Sequence, residues 1–147
     1  MLIGIPACLG PDLLRNLRVM GHGDEIAIVD GNYPALAHGV NAPGGVVRAD
    51  GVGALEILDA ILRIMPVDHC VDDPFSFATV DGDGKTLAPI HHAMNARLEA
   101  WKPGTRARPM RGEEFYSRVR RAHTLVATSE PALYGNIIVR KGVINPE

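Results

Sequence analysis

Hydrophobic residues in this chain alternate between two spacings. Between 53 and 65 leucine, isoleucine and methionine recur every three or four residues, which predicts a helix that Pro66 ends. The same spacing predicts helices that begin near Pro11, Ile90 and Phe115. Short runs rich in β-branched residues predict strands at 26–29, 46–50, 75–80, 124–128 and 137–139.

The order of these elements defines the expected fold class. Strands alternate with helices along the whole chain, without a repeat or a linker, which predicts one α/β domain over residues 1–147. We expect a three-layer α/β/α sandwich with a mostly parallel or mixed sheet. Prolines and glycines predict irregular backbone at 35–45, and three arginines predict a basic loop at 106–111.

Composition narrows the functional classes. The 147 residues are 46% hydrophobic and 22% charged, with a formal net charge of −2, which is typical of a globular domain. This balance predicts neither a nucleic-acid partner nor a membrane surface, and the apolar runs are shorter than the ~20 residues of a spanning helix. Cys8 and Cys70 are isolated, and residues 1–5 lack a charged leader, so a cytoplasmic protein with reduced thiols is expected.

The first candidate site flanks the strand at 26–29. His22 lies between two glycines before the strand, and Asp30 follows it in a loop of turn-forming residues. A histidine can transfer protons near neutral pH, and a carboxylate can orient it or bind hydroxyl groups. Asp30 lies at the carboxyl end of the strand, where α/β sheets bind ligands. The alternative is that His22 only caps the preceding helix.

Two further segments carry polar side chains that could bind a ligand. Tyr134 and Asn136 flank Gly135 just before a buried strand, where a ligand could approach the backbone closely. The alternative is a turn asparagine beside a core tyrosine. In the basic loop, an arginine could donate a forked pair of hydrogen bonds to a polyol or an anion, or could simply be solvated.

No metal site is predicted. The segment 81–84 resembles the start of a calcium loop, but it lacks the later acidic ligands and predicts a turn. His91 and His92 are adjacent on a helix and point about 100° apart, so they cannot chelate an ion from one face.

Five segments together resemble the FucU/RbsD family of L-fucose mutarotases and D-ribose pyranases. They occur in the expected order over nearly the whole chain: Gly-His-Gly-Asp-Glu-Ile at 21–26, Asp30 with Pro34, Val-Arg-Ala-Asp-Gly at 47–51, Phe-Tyr at 115–116, and Tyr-Gly-Asn-Ile-Ile with Lys-Gly-Val at 134–143. The first and third segments are more similar to the fucose branch.

The resemblance implies an RbsD-like fold and roles for particular residues. His22 would be the catalytic acid/base, while Asp30, Tyr134 and Asn136, with the backbone of Gly135, would bind the sugar. The fucose branch also uses an arginine before its Phe-Tyr pair; Arg111 is nearest, one residue further away than expected, and Arg108 is a substitute. A ring-like homo-oligomer with sites near subunit contacts is implied, a decamer being one form, and no cofactor is implied.

The favoured hypothesis is therefore a mutarotase that interconverts the anomers of a monosaccharide, with L-fucose as the first choice. D-ribose pyranase activity is the alternative within the family. A sugar-binding accessory protein without turnover, for transport or regulation, is a second alternative. A metal-dependent hydrolase or isomerase using His22, Asp24 and Asp30 is a third.

Overall fold

The computed structural model describes residues 2–146, and within this range six strands form one sheet. In chain order they are β1 (Glu25–Val29), β2 (Val46–Ala49), β3 (Phe75–Ala78), β4 (Arg108–Met110), β5 (Thr124–Thr128) and β6 (Ile137–Arg140). The same range contains five α-helices, of which α1 precedes β1 and the other four lie between successive strands from β1 to β5: α1 (Pro11–Val19), α2 (Ala35–His38), α3 (Ala54–Ile64), α4 (Pro89–Trp101) and α5 (Gly112–Arg120). A 3-10 turn, Val80–Gly82, follows β3.

The sheet has the strand order β2-β5-β1-β6-β3-β4. β1, β2 and β5 pair in parallel, as do β3 and β4, whereas β6 is antiparallel to both β1 and β3. All strands except β6 therefore run in one direction. We call the edge where these five strands end, and where β6 begins, the carboxyl edge, and the opposite edge the amino edge.

Apolar side chains cover both faces of the sheet. On one face, α1, α3 and α4 pack through residues such as Leu13, Ile57 and Met94, which are at most 1% exposed. On the other face, α5 packs through Phe115 and Val119, together with the short α2. Burial on both faces explains why the central strands are continuous apolar runs. The expected three-layer sandwich with a mixed sheet is confirmed.

Local chemistry explains where the helices begin and end. Pro11 and Pro89 occupy the first turns of α1 and α4, where the missing N–H of proline costs no hydrogen bond. α3 ends at Ile64, two residues before Pro66, whose ring excludes a continuing helix.

Three sequence expectations need correction. The segment expected to be irregular contains α2, a single turn of four residues that ends at Gly39. β3 stops at Ala78 instead of Val80, because the chain bends into the 3-10 turn. The basic loop contains a short edge strand, β4; Pro109 fits there because an edge strand does not need every N–H for pairing.

None of the helices within residues 2–146 is both long enough and apolar enough to cross a membrane.

Candidate functional site

The topology separates His22 from Asp30. His22 precedes β1 at the amino edge, and Asp30 follows β1 at the carboxyl edge. The five residues of β1 span roughly 17 Å at about 3.4 Å per residue. The idea that Asp30 orients His22 is therefore wrong within one chain, because the strand holds the two side chains apart.

Asp30 forms the centre of a buried hydrogen-bond network at the carboxyl edge. Its side chain Oδ2 accepts hydrogen bonds from the backbone N–H of Gly135 at 3.1 Å and from Asn136 Nδ2 at 2.9 Å. Its Oδ1 accepts one from the backbone of Asn32 at 2.9 Å. In return, the backbone N–H of Asp30 donates to Asn136 Oδ1 at 2.8 Å. Asp30 and Asn136 are 6% and 7% exposed, so the network is fixed and largely dry.

Tyr134 has an unusual backbone conformation beside this network. Its φ is 64°, in the left-handed region that residues other than glycine rarely adopt. Its hydroxyl group lies 3.3 Å from both the backbone nitrogen and the carboxylate Oδ1 of Asp81. Asp81, in the turn after β3, also has a positive φ, of 53°. Backbone strain of this kind is concentrated at functional sites.

His91 holds the backbone of Tyr134 through a hydrogen bond, a role that the sequence analysis missed. Its Nδ1 accepts the backbone N–H of Ala88 at 2.9 Å, so Nε2–H donates to the carbonyl oxygen of Tyr134 at 3.0 Å. The ring is fully buried and stacks on Phe77 with the centroids 4.1 Å apart. Burial lowers the pKa of His91, which favours the neutral tautomer that these two bonds require. The only signal in the sequence is its place in the first turn of α4.

Glu130 is a second residue that the sequence analysis missed. It is 9% exposed, and its carboxylate accepts the backbone N–H groups of Ala54, at the start of α3, and Ala132, both at 3.1 Å. A Cβ at Gly135 would lie 2.7 Å from Glu130 Cγ. Gly135 is therefore required for close packing of the loop. The sequence places Glu130 in a turn and gives no sign of its burial.

The topology also distinguishes the two candidate arginines. Arg111 directly follows β4, so it lies at the carboxyl edge with Asp30, beside the turn that contains Gly84. Arg108 begins β4 and donates hydrogen bonds to Asp73 and Glu114, both at 3.0 Å. Arg111 is exposed and available to a ligand, whereas Arg108 is engaged in ion pairs.

A small cavity of about 260 Å³ adjoins Asp30 at this edge, and Tyr33, Arg48 and Thr128 contribute to its lining. Its volume is slightly below the ~300–1,000 Å³ of pockets for drug-sized ligands, which suits a small polar molecule. Among residues 2–146, every buried side-chain nitrogen and oxygen has a hydrogen-bond partner, so the buried polar groups of this edge are satisfied within the protein.

His22 is held at the amino edge by a different carboxylate. Its Nε2 lies 3.1 Å from Asp68 Oδ1, and the side chains are 45% and 1% exposed. Asp68 also accepts the backbone N–H of Cys70 and Arg140 Nε, both at 2.9 Å. Burial raises the pKa of Asp68, but these hydrogen bonds outweigh it and bring the pKa to about 2. His22 is thus an exposed imidazole fixed by a buried carboxylate, and it does not cap α1.

The residues of the metal hypothesis do not converge. Asp24 accepts the backbone N–H of Gly21 within the loop, at the opposite edge from Asp30. The donor atoms of His22, Asp68 and Cys70, in contrast, lie within 4.8 Å of one another. These three are residues that could hold an ion.

The fold and the carboxyl-edge network define the class of protein: a single-domain α/β protein with a buried polar network and a small cavity where five strands end. The family model described as "RbsD / FucU transport protein family" matches residues 3–144. The chain belongs to this family, which confirms the resemblance seen in the sequence.

Individual relatives agree with this assignment. A fucose mutarotase from Bos taurus is 38% identical over 100% of this chain and 97% of its own length. The crystal structure of the fucose mutarotase from Streptococcus pneumoniae in complex with L-fucose is 40% identical, with a TM-score of 0.86 over 98% of this chain and 100% of that chain. The structure of Bacillus subtilis RbsD complexed with D-ribose has a TM-score of 0.67 and 22% identity over 99% of both chains, which shows the fold alone.

The Asp30 network predicts a loss of stability when the acceptor is changed. In Asp30→Asn one acceptor oxygen becomes an NH₂ group that faces existing donors, which should cost about 1–3 kcal/mol of unfolding free energy in urea. Asp24→Asn is the control, since Asp24 accepts a hydrogen bond in an exposed loop and should change stability by less than about 0.5 kcal/mol. Equal effects of the two substitutions would contradict the account of the buried network.

His91 predicts a pH dependence of stability. Because its pKa is lowered by burial in the folded state, the unfolded chain binds the proton first, and this residue reduces stability as the pH falls through about 6.5. Urea unfolding at about pH 7.5 and about pH 5.5 should show a smaller loss for His91→Gln than for the wild type. His92→Gln, exposed on the same helix, should keep the wild-type loss. An unchanged pH dependence in His91→Gln would refute this role.

Proposed function

We propose that this protein is a mutarotase that interconverts the α and β anomers of a monosaccharide, most specifically L-fucose. The full-length similarity to proteins named fucose mutarotase carries the proposal. The polar carboxyl edge supports it, because buried carboxylate and amide groups recognise sugar hydroxyls. The free thiols of Cys8 and Cys70 fit a reducing compartment such as the cytoplasm.

The reaction needs a proton donor and a proton acceptor. The anomeric hydroxyl loses its proton while the ring oxygen gains one, and the bond between C1 and the ring oxygen breaks. Rotation about the C1–C2 bond and reclosure give the other anomer, so no proton is consumed. His22 is the acid/base of this proposal. Asp68 binds Nε2 and leaves Nδ1 free for proton transfer.

Asp30 has a defined capacity for a sugar hydroxyl. An ionised carboxylate offers about four lone-pair positions, and three are filled by Asn32, Gly135 and Asn136. The remaining position lies on Oδ1, where it can accept one hydroxyl. In the proposal Tyr134 and Arg111 contact the sugar from the same edge. Because the hydrogen-bond network is already formed, the entropy cost of positioning the sugar is reduced.

The separation of His22 and Asp30 supports a site that is shared between two subunits. We place His22 of one subunit against the carboxyl edge of the next. Such a contact joins two different surfaces, and repeating it generates a ring when the rotation closes. An apolar groove of about 440 Å³ beside the amino edge, lined by Leu14, Leu17, Ile64 and Ile144, offers a contact surface for that assembly.

The principal experiment is saturation-transfer NMR of the anomeric protons of L-fucose and D-ribose. We expect faster exchange for L-fucose, unchanged by EDTA, and a loss of about 10²–10⁴-fold of the enzymatic rate in His22→Ala. His92→Ala is the control, because His92 is an exposed histidine on α4 with no role in the proposed site. Wild-type exchange in His22→Ala would eliminate the proposed acid/base.

Each alternative function predicts a different result in the same NMR experiment. Faster exchange for D-ribose alone would assign the protein to the pyranase activity. Sugar binding without faster exchange would identify an accessory protein. Loss of anomer exchange on addition of EDTA would support the alternative of a metal-dependent enzyme.

The two-subunit site predicts complementation between inactive variants. His22→Ala retains the carboxyl edge, and Asp30→Asn retains the histidine, so mixed rings contain some contacts with both groups intact. Random co-assembly should restore about a quarter of the wild-type exchange, because both halves must come from the correct subunits. Each variant alone, and the two mixed without subunit exchange, provide the control. If co-assembled rings, verified by mass spectrometry of tagged subunits, stay inactive, the two-subunit arrangement is wrong.

A further inference from the structure

Three different metal-ligating side chains converge at the amino edge. They are His22, Asp68 and Cys70, whose donor atoms lie within 4.8 Å of one another. The separation of His22 Nε2 and Asp68 Oδ1 is 3.1 Å. Two ligands of a tetrahedral zinc ion, each at about 2.0–2.3 Å, are roughly 3.3–3.8 Å apart. Cys70 is exposed, so a rotation of its side chain can provide the remaining approach.

The chemistry of the donors fits zinc better than calcium or magnesium. Imidazole nitrogen and thiolate sulfur are zinc ligands, whereas calcium and magnesium prefer oxygen alone. Asp68 supplies a buried carboxylate, whose side chain is 1% exposed. Three protein ligands leave the fourth tetrahedral position to water, as in open zinc sites.

The surroundings of Asp68 already orient its carboxylate. Arg140 Nε binds Oδ2, which leaves Oδ1 facing His22, and the backbone N–H of Cys70 binds Oδ1. Outer contacts of this kind orient carboxylate ligands in metal sites. The positive charge of Arg140 is partly balanced by Glu25, at 3.8 Å. The charge of Glu25 is in turn paired with Arg118, at 2.6 Å.

We propose that His22, Asp68 and Cys70 form a zinc site that reversibly inhibits the protein by engaging its catalytic histidine. Zinc replaces the hydrogen bond between His22 and Asp68 with two metal–ligand bonds. The Cys70 thiol loses its proton to solvent as the sulfur binds the ion. The proton on His22 Nε2 moves through solvent to Nδ1, so that Nε2 can bind zinc.

Inhibition follows from the loss of proton exchange. A metal-bound imidazole has no free lone pair, because Nε2 is bound to zinc and Nδ1 carries the proton. His22 can then neither accept a proton from the anomeric hydroxyl nor reach into a neighbouring subunit. This consequence rests on the proposed function, whereas metal binding itself does not.

Cys8 provides a control for substitution of the Cys70 thiol. The chain has two cysteines, and Cys8 packs beside the core and near Glu56, away from the amino-edge cluster. Cys8→Ser therefore removes one thiol without changing the proposed ligands, while Cys70→Ser removes a ligand.

The binding experiment uses Co²⁺ as a spectroscopic substitute for zinc. Reduced wild-type protein and Cys8→Ser should both develop a thiolate-to-metal charge-transfer band in the near ultraviolet, and Zn²⁺ should remove it by displacing Co²⁺. Cys70→Ser should lack the band and bind Zn²⁺ at least about tenfold more weakly in a competition assay with a chromogenic chelator. Absence of the band in the wild type, or its persistence in Cys70→Ser, would overturn the proposed site.

The activity experiment measures anomer exchange during a Zn²⁺ titration. Relative to the zinc-free rate of each variant, Zn²⁺ should inhibit wild type and Cys8→Ser equally, EDTA should reverse the inhibition, and Cys70→Ser should need at least about tenfold more Zn²⁺. Inhibition that is identical in Cys70→Ser would overturn the regulatory proposal. If the protein accelerates no exchange at all, the proposed function fails, while the Co²⁺ spectrum still decides whether the site exists.

Discussion

The carboxyl edge depends on the exchange of hydrogen bonds between Asp30 and Asn136. These residues are far apart in the chain but lie at the ends of neighbouring antiparallel strands, so each can satisfy the polar groups of the other. This pair of hydrogen bonds fixes the loop after β1 against the loop before β6. It thereby sets the position of Tyr134, whose strained backbone is also held by His91. A buried carboxylate that already has three donors needs little reorganisation to accept one more.

The fold was largely predictable because its elements have clear periods and terminators. Pro66 marks the end of α3, and the continuous apolar run 26–29 of β1 indicates a strand buried on both faces. The errors occur where tertiary contacts decide the backbone. β4 has only three residues and exists because β3 provides a partner, and α2 is a single turn without an apolar stripe of its own.

The candidate site was predictable only in part. Motif order identifies the residues that carry polar groups, and topology then shows which of them share an edge. His91, Glu130 and Asp68 could not be recognised from the sequence, because their importance comes from burial and from partners distant in the chain. The sequence analysis also allowed Asp30 to orient His22, whereas the strand between them places the two residues at opposite edges.

Pro109 on the outermost strand has a consequence for how copies of this protein can associate. It removes one N–H from β4, the three-residue strand at one end of the sheet, and Arg108 beside it is charged. Neither feature favours the addition of a strand from another molecule, so this end of the sheet resists the cross-chain pairing that leads to aggregation. Subunits that meet through loops and helix faces can separate and recombine without unzipping a shared backbone ladder. In the proposed ring, each subunit would therefore keep its own sheet intact when subunits exchange.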